Sequence, residues 1–376
     1  MDLALSDEQR MLRESADRFV KETYTAEHRK RLANDPRGFS ADLWKQFADL
    51  GWLALPIAEA HGGLGGGAIE IGILMEAFGR GLVSEPYLST VVIGASLIAE
   101  CGTETQKQVL LPQIADGSLY LAFAHSERQA RFDLADVKTS AKKTPDGWQL
   151  NGQKTAVLDG NAAGQIIVSA RLDDGELGLF LVPNGTSGLT SRDFPRLGGG
   201  RACNLDLKDV RVPADARLGD GDALAAIESA VDRAMAALGA EAVGIMQTLL
   251  DQTLEYTKIR KQFGRPLSAN QVIRHRLADM AMQCDEARSM ALRAALMADA
   301  EPVARSRAAS GAKAKIGKCA RFVAEQSVQL HGAMGVTEEL DIGAYFKRLL
   351  AFDTLFGGSA HHYRRHAALG GRAVQA

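Results

Sequence analysis

Few residues in this chain have the type and setting to do chemistry. Glu241, in "GAEAVG", is a carboxylate inside an otherwise apolar helical run, and a charge placed there needs a partner or a function. A glutamate in apolar surroundings is a natural general base, which makes Glu241 the candidate catalytic residue. Asp232 lies nearby in sequence, and Asp353 suits an ion pair with Arg348 or a helix cap. "HHYRRH" sets His362 and His366 one helical turn apart. That spacing suits zinc, but no HExxH glutamate and no third ligand accompany it, so no metal is expected. "HGGLGGG" is a glycine-rich turn, yet no strand precedes it and no Rossmann unit follows, so it reads as a helix connection.

The elements that must position these groups fall into three blocks. A chain of 376 residues exceeds the size at which one core stops growing, so two or three domains are expected. "SDEQRMLRESADRF" takes Ser6 as N-cap and puts Met11, Leu12, Ala16 and Phe19 on one helix face. From about 121 the chain alternates in twos, and Asn151-Gly152 between strand-like runs predicts a hairpin turn. From about 222 it is helical again, beginning with a very long apolar-striped run interrupted only by Gly239 and Gly244. The expected class is α+β: an N-terminal helical domain (1–120), a barrel-like antiparallel middle domain (121–212) and a C-terminal four-helix bundle (213–376).

Charge and composition exclude several functions. A net charge of -2 with no lysine-rich block gives no field to recruit nucleic acid. Cys101, Cys203, Cys284 and Cys319 form no CxxC pair and read as reduced thiols. No signal-peptide pattern and no membrane-length apolar stretch occurs, so the expected location is the cytoplasm.

"KIRKQFGRPLSANQ" (258–271) and "QLHGAMGVTEE" (329–339), with "LALPIAEAHGGLG", "ETQKQVLLPQIADGSL" and "WQLNGQKTAVLDG" in order, make the whole chain resemble the acyl-CoA dehydrogenase family. "SERQARFDLADV" (126–137) and "GAYFKRLLAFDTLFGG" (343–358) resemble a divergent branch, the small subunits of heteromeric dehydrogenases acting on dicarboxylyl- or steroid-side-chain acyl-CoA esters. The resemblance implies FAD as cofactor, an acyl-CoA thioester as substrate and an electron-transfer flavoprotein or similar acceptor. It also implies a related second subunit in a heterotetramer, or a homo-oligomer.

The same resemblance assigns residues. Arg260 would bind the flavin pyrophosphate of a neighbouring subunit, Gln262 and Phe263 would line the adenine end, and Gln329, Gly332 and Ala333 would make the second pyrophosphate contact. Phe123 and Ser126 match the ring-contacting loop, with His125 between them. Ala156 and Leu158 stand where the family has a flavin-facing tryptophan and threonine. The family's base positions fall on Gly357, Gly358 and Ala234, none of them an acid.

Three functions follow as expectations. The first is a FAD-dependent acyl-CoA dehydrogenase subunit that lacks its own base and works with a partner carrying one. The second is a self-sufficient homo-oligomer with Glu241 as a non-standard base. The third is a scaffold of the same shape without a redox role. The retained "RKQFG" and "QLHGAMG" favour flavin binding, and the absent acids favour the heteromer.

Overall fold

The computed structural model describes residues 4–32 and 34–372. The N-terminal block contains α1 (Asp7–Thr23), α2 (Ala26–Leu32), α3 (Ala41–Asp49), α4 (Ala68–Gly81), a π-helical stretch Leu88–Gly94 running into α5 (Ala95–Cys101), and α6 (Glu104–Ala115). Ser6 caps α1 in a reciprocal box with Gln9, and this satisfies two amides that the first turn would otherwise orphan. Met11, expected on the buried face, is instead 69% exposed, and Ala16 and Val20 carry the contact. The block's core is aromatic: Phe47 stacks on Phe78 at 5.1 Å, with Trp52 tilted against both.

The middle block is a seven-stranded sheet built from β1 (Leu121–Ala124), β2 (Ser140–Thr144), β3 (Gly147–Leu158), β4 (Gln165–Arg171), β5 (Leu177–Pro183), β6 (Leu189–Pro195) and β7 (Arg201–Val212). Its order is β1-β4-β2-β3-β7-β6 with β5 also on β4, and most pairs are antiparallel while β1 and β4 run parallel. The predicted hairpin turn at Asn151-Gly152 is absent. β3 passes through it, and the turn lies between Thr144 and Gly147. Gly152 answers a packing need instead, because a Cβ there would sit 2.4 Å from Thr139 Oγ1, at a bulge in the β3–β7 register.

The C-terminal block contains α7 (Leu224–Ile259), a small hairpin of β8 (Lys261–Gln262) and β9 (Arg265–Pro266), α8 (Gln271–Leu296), α9 (Pro302–His331), α10 (Ile342–Thr354) and α11 (Ser359–Arg372). α7 is one helix of 36 residues that neither expected glycine breaks. Gly244 and Gly79 let α7 and α4 touch: a Cβ on Gly244 would lie 1.9 Å from the Glu76 carbonyl, and one on Gly79 would lie 2.1 Å from that of Glu241. That close crossing packs the N-terminal block onto α7. No described helix is long and apolar enough to cross a membrane.

Candidate active site

Where the three blocks meet lies a cavity of about 980 Å³. Ser89 and Ile93 of the π-helical stretch, Phe123 of β1, Thr155 and Ala156 of β3, Val231 and Met235 of α7, and the turn between α10 and α11 form its walls. Loop 126–137 covers another side.

Phe123 and Ser126, which the resemblance assigns to a ring-contacting loop, both line the cavity. The Ser126 carbonyl accepts from the Thr155 amide at 2.8 Å, which pins the loop to β3. The Phe123 ring stacks on His125 at 5.3 Å. Burial, and then the nearby Lys154, push the His125 imidazole down to about 3, so it stays neutral. Ala156 sits at a second bulge with φ +52, and its amide donates to Asn204 Oδ1 at 3.0 Å.

Beneath this wall lies a pair that sequence reasoning missed. Lys154, fully buried, donates to Glu127 Oε1 at 2.8 Å, to Ser169 Oγ at 3.0 Å and to the His125 carbonyl at 3.2 Å. Glu127 also accepts from the Lys138 amide and from the Thr139 amide and hydroxyl. Burial opposes ionisation of Glu127, but Lys154 and these donors outweigh it and hold the carboxyl below its usual range. Glu127 therefore lines the cavity as a bound anion with its lone pairs occupied. A signal was present: Lys154 is in phase with inward-facing Leu150 along β3.

The turn after α10 carries Phe356 at φ +55, Gly357 at φ +114, and Gly358. Buried Lys313 holds it, donating to the Phe352 carbonyl at 2.8 Å and the Gly357 carbonyl at 2.9 Å, and burial pushes its ammonium down to about 8. A Cβ on Gly357 would lie 2.8 Å from His361 Cδ2 and from His362 Nε2. His362 Nε2 donates to the Phe356 carbonyl at 3.0 Å, and burial, then Lys313, bring it to about 3. The His361 ring packs on Phe132 at 5.2 Å, in the cavity wall. Asp353 caps α11, accepting from the Ser359 amide and hydroxyl.

The other acids do not gather at the cavity. Asp232 is caged by Arg305, Arg365 and the Ser306 hydroxyl. Glu241 pairs with Arg348 at 2.6 Å, faces a smaller space beyond Leu158 and Leu355, and does not line the large cavity. Ala234 is buried outside the lining. Of the lining acids, Asp133 accepts from the Ala135 amide within its own loop. Glu228, partly exposed and three and seven residues before Val231 and Met235, has no partner among the described residues.

Arg260, Gln262 and Phe263 lie elsewhere, on the exposed hairpin after α7, and the Phe263 side chain is fully exposed. Exposed Gln329, Gly332 and Ala333 stand at the end of α9. The two groups share one end of the bundle, where Tyr256 stacks on His331 at 4.3 Å. Neither group lines the cavity. No group of three or more metal-ligating residues occurs among the described residues.

A helical block, a sheet and a helix bundle together wall the large cavity. The chain belongs to the acyl-CoA dehydrogenase family: models of that family's N-terminal, middle and C-terminal domains match residues 6–118, 122–210 and 221–368. It is an oxidoreductase of this family. It is 34% identical over 355 residues to the probable acyl-CoA dehydrogenase YngJ of Bacillus subtilis, covering 91% of this chain and 92% of that one. Among solved structures it resembles a variant of the Tcur3481-Tcur3483 steroid ACAD (31% identity, TM-score 0.89, 98% and 99% covered). It also resembles the ChsE4-ChsE5 complex from Mycobacterium tuberculosis (27%, 0.88, 98% of each chain). A third likeness is to a glutaryl-CoA dehydrogenase from Mycobacterium smegmatis in complex with FADH2 (26%, 0.89, 98% and 95%).

Proposed function

We propose that the chain is a subunit of a cytoplasmic FAD-dependent dehydrogenase that introduces an α,β double bond into an acyl-CoA thioester. It has no carboxylate of its own at the turn that faces the reacting carbons, and it works beside a related second chain, in the manner of the divergent small-subunit branch. The observation that carries this is the turn itself: Gly357 and Gly358 stand there, with His361 and His362 filling the space a side chain would need. The likeness to a Tcur3481-Tcur3483 protein and to a ChsE4-ChsE5 complex supports the pairing.

The residues fit FAD in two parts. Phe123 and Ser126 offer an aromatic face and a hydroxyl in a cavity large enough for a tricyclic ring and an acyl chain. Arg260, Gln262 and the uncovered Phe263 ring, with Gln329, Gly332 and Ala333, present a guanidinium, polar groups and an apolar face to an adjoining subunit. The bound flavin supplies hydride acceptance, and an electron-transfer flavoprotein or similar acceptor then takes the electrons. This chain's part is to bind and orient the thioester and to keep water out.

A second reading is favoured by Glu228, a cavity-wall carboxylate unpartnered among the described residues, which would make a homo-oligomer self-sufficient. Co-expression with a related chain tests both. The first reading predicts co-purification and acyl-CoA oxidation by the pair. Full activity of the chain alone, lost in Glu228→Gln, would establish the second instead.

A further inference from the structure

Ser126 is exposed on the wall of the large cavity, and its hydroxyl makes no hydrogen bond among the described residues. A free hydroxyl on a loop recognises a ligand atom only if the backbone beneath it is fixed. Three consecutive residues supply that fixing, and all lean on one point of β3. The His125 carbonyl accepts from the Lys154 ammonium at 3.2 Å, and the Glu127 carboxylate accepts from the same ammonium at 2.8 Å. Between them, the Ser126 carbonyl accepts from the Thr155 amide at 2.8 Å. One buried side chain therefore brackets Ser126 on both sides. Lys154 itself is set by the sheet, opposite buried Leu205 of β7 and bonded to Ser169 Oγ of β4 at 3.0 Å.

Stability alone does not account for this arrangement. Desolvating an ammonium and a carboxylate offsets most of their attraction, and apolar side chains of like volume commonly hold a core as well. Burial pushes the Lys154 ammonium down to about 8, so it is still charged at neutral pH. Its three N–H donors then match three acceptors, the His125 carbonyl, Glu127 and Ser169, in three directions. An apolar side chain imposes no such directions. What the pair adds is a fixed place for the first residues of the loop.

We propose that Lys154 is a positioning residue for the flavin: from behind the cavity wall, it holds the Ser126 hydroxyl in place to hydrogen-bond the bound ring. Lys154 does not line the cavity, so it acts through Ser126 and not by contact. The proposal rests on the dehydrogenase reading, which supplies the flavin.

A double-mutant cycle read by FAD titration of the assembled apoprotein, with the visible spectrum of the bound flavin, tests it. Ser126→Ala and Lys154→Met should each weaken FAD binding about tenfold, the effect of one well-made hydrogen bond, and should shift the flavin bands alike. The double variant should bind FAD no more weakly than either single one, because Lys154 acts through the hydroxyl. Lys154→Gln, a polar side chain too short to reach the same acceptors, gives the same reading if the methionine variant does not fold. A roughly hundredfold loss in the double variant would mean that the two residues act independently, as a merely structural lysine would, and would overturn the proposal. So would unchanged FAD affinity and spectrum in Ser126→Ala, or in a folded Lys154 variant. If the unmodified assembly binds no FAD, the dehydrogenase reading itself falls.

Discussion

Gly357 shows most sharply what single residues decide. Its φ of +114 suits glycine, and the two imidazoles at 2.8 Å leave no room for a Cβ. Gly357→Glu should therefore destabilise the protein by about 1–3 kcal/mol rather than install a working base. Gly358→Asn would place its Cβ 3.4 Å from the Asp353 carbonyl and 3.8 Å from Asp353 Oδ2, ordinary contacts, and should fold normally. Thermal unfolding of the two variants checks this, and equal stability would contradict it. His125 and His362 both contribute to acid behaviour, since each is lowered from 6.5 to about 3. Their folded forms are neutral, so below pH 6.5 protons bind the unfolded chain first. Stability is complete above that pH and falls by up to about 1.4 kcal/mol per pH unit for each histidine. Denaturant midpoints should drop steadily from pH 7 to 5, and a flat profile would show that neither histidine is held neutral.

At the scale of elements, α10 acts as a clamp. Arg348 reaches Glu241 on α7, the Val83 carbonyl beyond α4 and the Gly199 carbonyl after β6, so one side chain ties all three blocks. Arg348→Met would leave Glu241 buried and unpaired and should cost about 3–5 kcal/mol. Glu241→Gln should leave acyl-CoA oxidation by the assembled enzyme largely intact, since the carboxylate faces away from the large cavity. A thousandfold loss of turnover in a folded Glu241→Gln protein would restore it as the base. Elements of this kind were legible only in part. Ser6 announced its helix because capping is local and written in neighbouring residues. Asn151-Gly152 misled because Thr139, a residue on another segment, dictates that glycine. Gly239 and Gly244 misled likewise, since what they accommodate lies on α9 and α4. The Lys154–Glu127 pair was readable in phase but not in partner, because pairing across 27 residues depends on the sheet register.

At the scale of the whole molecule, the order of helices, sheet and helices was plain from periodicity, and motif order carried the family. The assembly is where sequence and a single chain stop short. Arg260, Phe263 and the α9 end lie exposed and apart from the cavity, as they would if a flavin were shared between subunits. Arg260→Ala should reduce flavin retained by the assembled enzyme while leaving thermal unfolding of the isolated chain unchanged. Flavin retained in full would remove Arg260 from the cofactor's grip. The most direct measurement is mass analysis of the acyl-CoA after incubation with an artificial electron acceptor, for the chain alone and with its related partner. Loss of two hydrogens from the thioester is expected only when both chains are present. Turnover by the isolated chain, or none by the pair with flavin bound, would contradict it.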